Sequence, residues 1–480
     1  MENQPRAPQT LRKDALGLLS IVFLVIATNG PLTALVGAVP VSIAMGNGIG
    51  VPGSFVVAGG IYLLFSIGYA AMSRYVKNAG AFYAYIAAGL GRPAGVGGAF
   101  LALLAYNAIQ LACYALVGFF LSQALVDKAG ISVSWWISAT CIALIVHYFG
   151  YRNVEFSGRF LCILMLCEIA IILLFDAAVV VHGGGPKGFP LASFSPSTVF
   201  TSGFGPSLVF VVGSYMGFET TAIYSEEAKD PGKTIPRATY AAITIIMVLY
   251  AVSVWMIISA YGPDAAVAQA NKDPGNMWFS MTAKLVGTWA SDAMGVLMIT
   301  SLLAALISFH NTISRYFYSL AREGIIWSRL AKTHSVQQTP FVASIVQTVC
   351  GLIVIVVCGL LKIDPLQGVL PWSSVVASVG IVAVQAFASL AVVGFFWRSH
   401  RGVSVWQRTV SPALASLGLF LCLWQIIIHV DLLSGSKSIW SELVPWATLA
   451  TGLGGACFAV WLKTARPSLY NNLGRLLNEV

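Results

Sequence analysis

The sequence predicts an all-α membrane protein with twelve transmembrane helices. Of its 480 residues, 58% are hydrophobic and only 9% are charged, against about 25% charged in an ordinary soluble domain. Apolar runs long enough to cross roughly 30 Å of hydrocarbon, about 20 residues each, recur twelve times along the chain. The basic residues also segregate strongly when the loops between those runs are assigned alternately to two sides. So few charges cannot cover the surface of a soluble enzyme of this length, so that class is excluded.

The runs fall at 15–41, 51–73, 96–125, 132–150, 160–182, 204–224, 239–261, 290–318, 341–361, 371–397, 410–430 and 443–463. Pro and Gly interrupt several of them. Membrane helices tolerate this where neighbouring helices or water satisfy the freed backbone groups. An even number of spans puts both termini on one side. Only Lys128, Lys187, Lys272, Lys284, Lys362 and Lys437 then fall on the other side, and the remaining 21 of the 27 Lys and Arg lie with the termini. Both termini are therefore expected in the cytoplasm, with the protein multi-pass in the plasma membrane. The net charge of +9 records topology and does not indicate a nucleic-acid partner.

Residues 1–14 and 464–480 are expected as cytoplasmic tails. The N-terminal tail lacks the short apolar region and cleavage site of a signal peptide, so the first span is expected to persist. The outer loop 183–203 is rich in Gly, Pro and Ser, and the outer loop 262–289 is long enough for a short surface helix. No separate soluble domain, and so no attached catalytic domain, is expected. The eight cysteines lie in apolar stretches without CxxC spacing. They are expected to be small buried hydrophobes and not metal ligands or a disulfide framework. No metal or cofactor is expected.

Acidic residues inside a span are costly and mark functional candidates. Of 18 acidic residues only Glu168, Asp176 and Glu219 fall clearly inside apolar runs. Glu168 is mid-span without a local basic partner. It is either a proton-coupling site or a neutral, hydrogen-bonded structural group. Glu219 follows Gly213-Ser214-Tyr215-Met216-Gly217-Phe218. Glycines beside a carboxyl group point to a helix that opens, with Glu219 satisfying its freed backbone groups; the plain alternative is a continuous, glycine-packed helix. In the first run, Thr28-Asn29-Gly30-Pro31-Leu32-Thr33 contains a proline that cannot join the helix ladder, giving a break or a simple kink. Runs one and six are five apart, as equivalent members of two five-helix repeats would be. Paired interruptions of this kind point to a midplane binding site. Free N–H groups at half-helix ends suit a carboxylate, and free carbonyls suit an ammonium group.

Thr28, Asn29, Gly30, Pro31, Thr33, Gly213, Ser214, Tyr215, Gly217 and Phe218 are accordingly the candidate substrate-binding residues. Phe210, Tyr215 and Phe218 are candidates for an aromatic lid or for plain packing. Asn107 and Gln110 share a helix face near Tyr106, and Ser308, His310, Asn311 and Thr312 form a polar band. Asn107, Gln110 and Asn311 are cavity-lining candidates. Thr28, Ser308 and Thr312 are possible oxygen donors to sodium. His147 and His429 are expected at the interface, and Trp372, Ser373 and Ser374 open the tenth run.

The stretch 217–238, GFETTAIYSEEAKDPGKTIPRA, resembles the end of span six and the following loop in the amino acid–polyamine–organocation (APC) permeases. The matching residues are Gly217-Phe218-Glu219, Glu226-Glu227, Lys229, Asp230-Pro231, Lys233 and Ile235-Pro236-Arg237-Ala238. Residues 77–92 and 314–332 resemble that family's loop after span two and end of span eight. The resemblance implies a LeuT-type fold of two inverted five-helix repeats plus two accessory helices, with spans one and six broken. The repeats would cover about 15–182 and 204–397 within a transport core at 15–397, with the accessory spans at 398–463. It also implies secondary transport of amino acids or related amines by alternating access. By the same resemblance Glu168 aligns near a span-five lysine that some relatives place against the broken span one. The first span departs from the family's Gly-x-Gly turn, because Pro31 removes a backbone donor; amino acids, amines and amides all stay open as substrates.

The leading expectation is proton-coupled uptake of an amino acid or amine. An exchanger is the alternative, and a channel is the alternative of another class. The scattered histidines and the absence of a motif such as HExxH speak against an enzyme.

Overall fold

The computed structural model describes residue 11 and residues 14–76, 82–151 and 154–473. The expectations placed on Arg6, Arg12, Lys13, Lys77, Arg152, Arg475, most of both tails and the start of the 77–92 stretch lie outside the described residues, as does the side chain of Arg159. Among the described residues the chain is helical, with only isolated bridges such as Leu16–Ala228 and no sheet.

The principal helices are α1 (Leu18–Asn29), α2 (Val51–Ser73), α3 (Arg92–Ala129), α4 (Trp135–Tyr151), α5 (Val154–Val181) and α6 (Phe204–Val211). They are followed by α7 (Pro231–Tyr261), α8 (Thr288–Arg322), α9 (Phe341–Leu360), α10 (Leu370–Arg398), α11 (Ser411–Ile428) and α12 (Ile439–Ala465). Proline stands in the first turn of α2, α3, α7, α10 and α11, where its missing N–H costs no helix bond. Gly130 closes α3 in the left-handed conformation, a conformation glycine adopts without steric cost.

Among the described residues ten helical segments are long and apolar enough to cross a membrane. Two of the twelve expected runs differ. Helix α4 is apolar but has 17 residues. The run at 204–224 is not one helix. After α6 a 3₁₀ turn covers Val212–Tyr215, the backbone extends at Met216, Gly217 takes φ +109°, and helix resumes only at Thr220–Ile223. A side chain is strained at such a φ, so Gly217 is what permits the interruption. The first run is also interrupted. Gly30 ends α1 with φ +55°, Pro31–Thr33 starts a new segment, and a π-helical turn at Ala34–Ala38 leads into Val39–Met45. The loop at 262–289 holds two short helices, Pro263–Lys272 and Met277–Leu285, where one was expected.

Helix α1 packs against α5, α7 and α8, while α3 packs against α10 and α12, and α2 against α7. Large hydrophobic side chains such as Leu173, Ile353, Leu417 and Leu453 are exposed on the outer helices. A surface of that kind suits hydrocarbon and not water. The cysteine expectation is corrected on this ground. Cys113 and Cys422 are buried, but Cys141, Cys167, Cys350 and Cys457 are exposed on apolar helix faces that suit lipid, and all eight are free thiols.

Candidate functional site

The two interruptions meet. A β-carbon built on Gly217 would lie 2.6 Å from Thr28 Cγ2, so the last turn of α1 presses directly on the gap in the sixth run. Thr28 Oγ1 donates to the Leu24 carbonyl at 2.8 Å and also bonds the Ser308 hydroxyl of α8. The alternatives of a kinked first helix and a continuous sixth helix are both replaced by a break.

Glu219 closes the second gap. It is fully buried. Its Oε2 accepts from the Gly217 N–H at 3.0 Å and from Gln385 Nε2 of α10 at 3.3 Å, and its Oε1 accepts from the Tyr106 hydroxyl of α3 at 2.7 Å. Tyr69 of α2 donates to the Glu219 carbonyl at 3.2 Å, and Tyr62 donates to Gln385 Oε1 at 3.0 Å. One side chain thus satisfies an N–H freed by the break and ties it to two helices, α3 and α10, while the Glu219 main chain is held by α2. A buried donor left without such a partner costs about 1–3 kcal/mol.

Glu168 is different. It is fully buried on α5, and neither carboxyl oxygen has a hydrogen-bond partner. The polar groups that act on it are Ser301 of α8 and the Leu32 main chain beyond the first break. Ser301 also receives a hydrogen bond from Thr33 at 3.2 Å. Both alternatives, a proton site and a hydrogen-bonded structural glutamate, are compatible with Ser301 and the Leu32 main chain standing beside the carboxyl group.

A cavity of about 560 Å³ opens beside the breaks. Thr28, Asn29, Gly30, Thr33, Gly213 and Ser214 line it, together with Phe210 and Ser374. Met216, Phe309, Ile109 and Ser378 line it too; three of them are apolar residues in apolar runs, which carry no signal in the sequence. The Asn29 side chain donates to Val25 at 3.1 Å and leaves Oδ1 without a partner. Among the described residues no charged side chain lines the cavity. Pro31, Tyr215, Gly217 and Phe218 lie outside the lining. Tyr215 stacks on Tyr62 at 5.0 Å and donates to the Phe55 carbonyl at 2.6 Å, and Phe218 packs edge-on against Tyr62 and Phe65. Both are packing residues here and not a lid.

Asn107 and Gln110 face elsewhere. Gln347 of α9 donates to Asn107 Oδ1 at 2.9 Å and to Gln110 Oε1 at 2.6 Å, and the three line a second cleft of about 350 Å³ with Trp372 and Ser373. Asn311 is buried outside both linings, and its carbonyl accepts from Arg315 at 3.2 Å. His310 bonds Ser344 at 2.8 Å, and His147 joins the same cluster through Thr348 at 2.9 Å. His147 is thus tied into the bundle through Thr348 of α9. Gln385, Tyr62 and Tyr69 were missed, although a lone amide inside the apolar run of α10 is a usable signal.

The main cavity extends toward Pro274, Gly275 and Leu433, on the side of the 262–289 loop. The opposite side is clasped shut. Arg315 of α8 meets Glu227 through two bonds of 2.6 and 2.9 Å, with side-chain exposures of 2% and 1%. Two turns on, Arg322 meets Glu226 at 2.8 and 3.1 Å. The N-terminal segment joins the same loop, with Ala15 and Leu16 donating to the Glu227 carbonyl and Lys229 donating to Leu16. Tyr83 bonds Glu323. The three stretches singled out in the sequence, 77–92, 217–238 and 314–332, therefore converge on one clasp.

A helical membrane protein with a central cavity between two interrupted helices, closed at one end by a buried ion pair, has the build of a permease. Residues 21–440 match the family model for the amino acid permeases, and the chain belongs to that family. The family is one of permeases and not of enzymes. The chain is 25% identical to the methylthioribose transporter of Bacillus subtilis over 66% of its own length and 62% of that protein. It is 22% identical to the branched-chain amino acid permease BcaP of Bacillus subtilis over 61% of the chain and 58% of the relative. With BcaP of Lactococcus lactis it shares 26% identity over 81% of the chain and 84% of the relative. The match thus spans about three fifths of the first two relatives and most of the third.

Proposed function

We propose that the protein is a secondary transporter that takes up an amino acid or related amine with an apolar side chain, by alternating access and with a proton as the coupling ion. The meeting of the two helix breaks beside one cavity carries this reading. The break puts main-chain groups and Asn29 Oδ1 within reach of a polar headgroup, and the uncharged lining suits an apolar remainder. Relatives named for branched-chain amino acids agree with that. Glu168, buried and unpartnered beside the first break, is the group assigned to bind and release the proton. Glu219 supports the break.

The same reading takes α4 and the interrupted 204–224 segment as spans, so that twelve spans arrange as a LeuT-type fold. Spans one to five and six to ten form inverted repeats at about 15–182 and 204–397, with accessory spans at 398–463. Both termini then face the cytoplasm across the plasma membrane, and the cavity of this conformation opens outward.

One observation favours a second substrate class. Pro31 offers no N–H at the first break, which weakens carboxylate binding there, and one relative is named for methylthioribose, a sugar with neither carboxylate nor amine. A thermal-shift screen of the purified protein over amino acids, amides, polyamines and methylthioribose separates the classes, because a ligand that binds the native state stabilises it by mass action. Uptake of the hit into proteoliposomes should then rise with an inwardly directed proton gradient. Indifference to the gradient, with dependence on an internal counter-substrate, would make the protein an exchanger instead.

A further inference from the structure

The loop between α10 and α11 carries an arginine with no acidic partner among the described residues. Residues 398–408 hold Arg398, His400, Arg401 and Arg408 and no acid. The nearest acids along the chain, Asp364 and Asp431, flank the far ends of the two helices. Arg401 is exposed, yet its position is fixed. Its guanidinium lies 4.8 Å from the ring centre of Tyr75, just beyond the end of α2, and 4.8 Å from that of Phe395 on α10. The Tyr75 hydroxyl donates to the Arg401 carbonyl at 3.3 Å. Arg401 also holds φ +46°, a conformation that is costly for a residue with a side chain and persists only where the surroundings impose it.

Positive charge alone says little on the basic side of a membrane protein. Other stacked arginines of this chain show what such a group ordinarily holds. Arg315 and Arg322 lie over Tyr224 and Tyr318 and pair with Glu227 and Glu226. Arg92 lies over Tyr470 and donates to the Leu473 and Asn471 carbonyls. Arg401 lies over two rings from two separate segments, and among the described residues no acceptor meets its guanidinium. The stack leaves free the edge of the group, a planar fork of N–H donors that matches a phosphate. Arg398 is exposed beside it and is engaged only with the Ala88 carbonyl at 3.4 Å, and exposed Arg74 directly precedes Tyr75. Trp397 and Trp406 flank the loop with exposures of 78% and 48%, and exposed tryptophan settles at the depth of lipid headgroups. Basic sites between helix ends at that depth suit anionic headgroups. We propose that Arg401, seated on Tyr75 and Phe395, binds with Arg398 the phosphate of an anionic membrane phospholipid at the ends of α2 and α10.

The purified full chain in detergent micelles is titrated with phosphatidylglycerol, with phosphatidylcholine and with soluble glycerol phosphate. The thermal midpoint is read, together with the lipid retained in native mass spectrometry. Phosphatidylglycerol should raise the midpoint and stay bound. Phosphatidylcholine, whose choline offsets the phosphate charge, and glycerol phosphate, which has no acyl chains to lie along the helices, should do neither. Arg401→Gln should weaken the apparent affinity for phosphatidylglycerol about tenfold or more. Each variant is compared with itself without lipid, so a lower starting midpoint from the lost stack does not enter. Arg398→Gln leaves the stack intact and should weaken the response too. Arg401→Lys keeps the charge without the fork and should fall between wild type and Arg401→Gln. Lys463→Gln removes an exposed charge in the last turn of α12 and should respond as wild type does. Equal responses to the two lipids, or an equal loss in Arg401→Gln and Lys463→Gln, overturns the site. A response to glycerol phosphate as large as that to the lipid overturns it as well, because the occupant would then be a soluble phosphate.

Discussion

Gly217 and Thr28 stand in contact across the two helix breaks, so closely that a methyl group on Gly217 would sit 2.6 Å from Thr28 Cγ2. Gly217 also holds φ +109°, which other residues rarely adopt. Gly217→Ala therefore combines backbone strain of about 1–3 kcal/mol with overpacking of similar size. The expected outcome is a lower thermal midpoint and loss of ligand-induced stabilisation, because the cavity wall at Gly213–Met216 shifts with the break. A variant with wild-type midpoint and wild-type ligand response would show that the contact is not needed.

Glu219→Gln tests the support of the sixth-run break. The carboxyl group accepts from Gly217, Tyr106 and Gln385. A glutamine offers one acceptor oxygen and an NH₂ that faces donors, so at least one buried N–H or O–H loses its partner. The loss in stability should be about 1–3 kcal/mol, measured by chemical denaturation in detergent, and transport should fall with it. Unchanged uptake would sink the assigned role.

The fold was legible in the sequence to the extent that apolar length and charge asymmetry decide it. The helices from α7 to α12 lie close to the expected runs because membrane spans need length more than pattern. The breaks were legible from Gly30-Pro31 and Gly217, residues whose backbone chemistry is explicit. Their partners were not. Gln385 and Tyr69 reach Glu219 only because α10 and α2 pack beside the break, a relation between segments 150 or more residues apart. Tyr215 and Phe218 were placed near the ligand by sequence proximity alone. The extended Met216 and turned Gly217 instead direct them toward α2 and its tyrosines.

The Arg315–Glu227 pair makes a separate prediction. Both side chains are almost wholly buried and joined by two bonds. Removing either partner alone leaves an uncompensated charge and should cost about 3–5 kcal/mol. The double variant Arg315→Met/Glu227→Leu leaves none, so it should be more stable than either single variant. A double-mutant cycle by thermal or chemical denaturation reads this directly. Additive losses would mean that the two charges are not coupled. Because the pair closes the end of the bundle opposite the cavity mouth, the double variant should also admit thiol reagents at a cysteine placed between the clasp and the cavity.

Asn29 gives the sharpest test of how the cavity holds its ligand. Its Nδ2 is engaged with Val25, while Oδ1 has no partner, and the residue stands in the cavity wall. An amide oxygen is an acceptor only, so it selects for a ligand donor, and an ammonium group is the strongest donor an amino acid or amine brings. Asn29→Leu keeps the side-chain volume roughly constant and removes the acceptor. Hydrogen bonds to charged groups contribute about 1.5–3 kcal/mol, so affinity for an amine-bearing ligand should drop about tenfold to a hundredfold, read as the shift in Kd by isothermal titration. The thermal midpoint of the free protein should fall only slightly, because the one internal bond lost is that from Nδ2 to the Val25 carbonyl and Oδ1 makes none. A ligand without an amine should be far less affected, so the ratio of the two Kd changes separates recognition at Asn29 from a general distortion of the break. If both ligands weaken equally, the amide oxygen is not the group that receives the substrate.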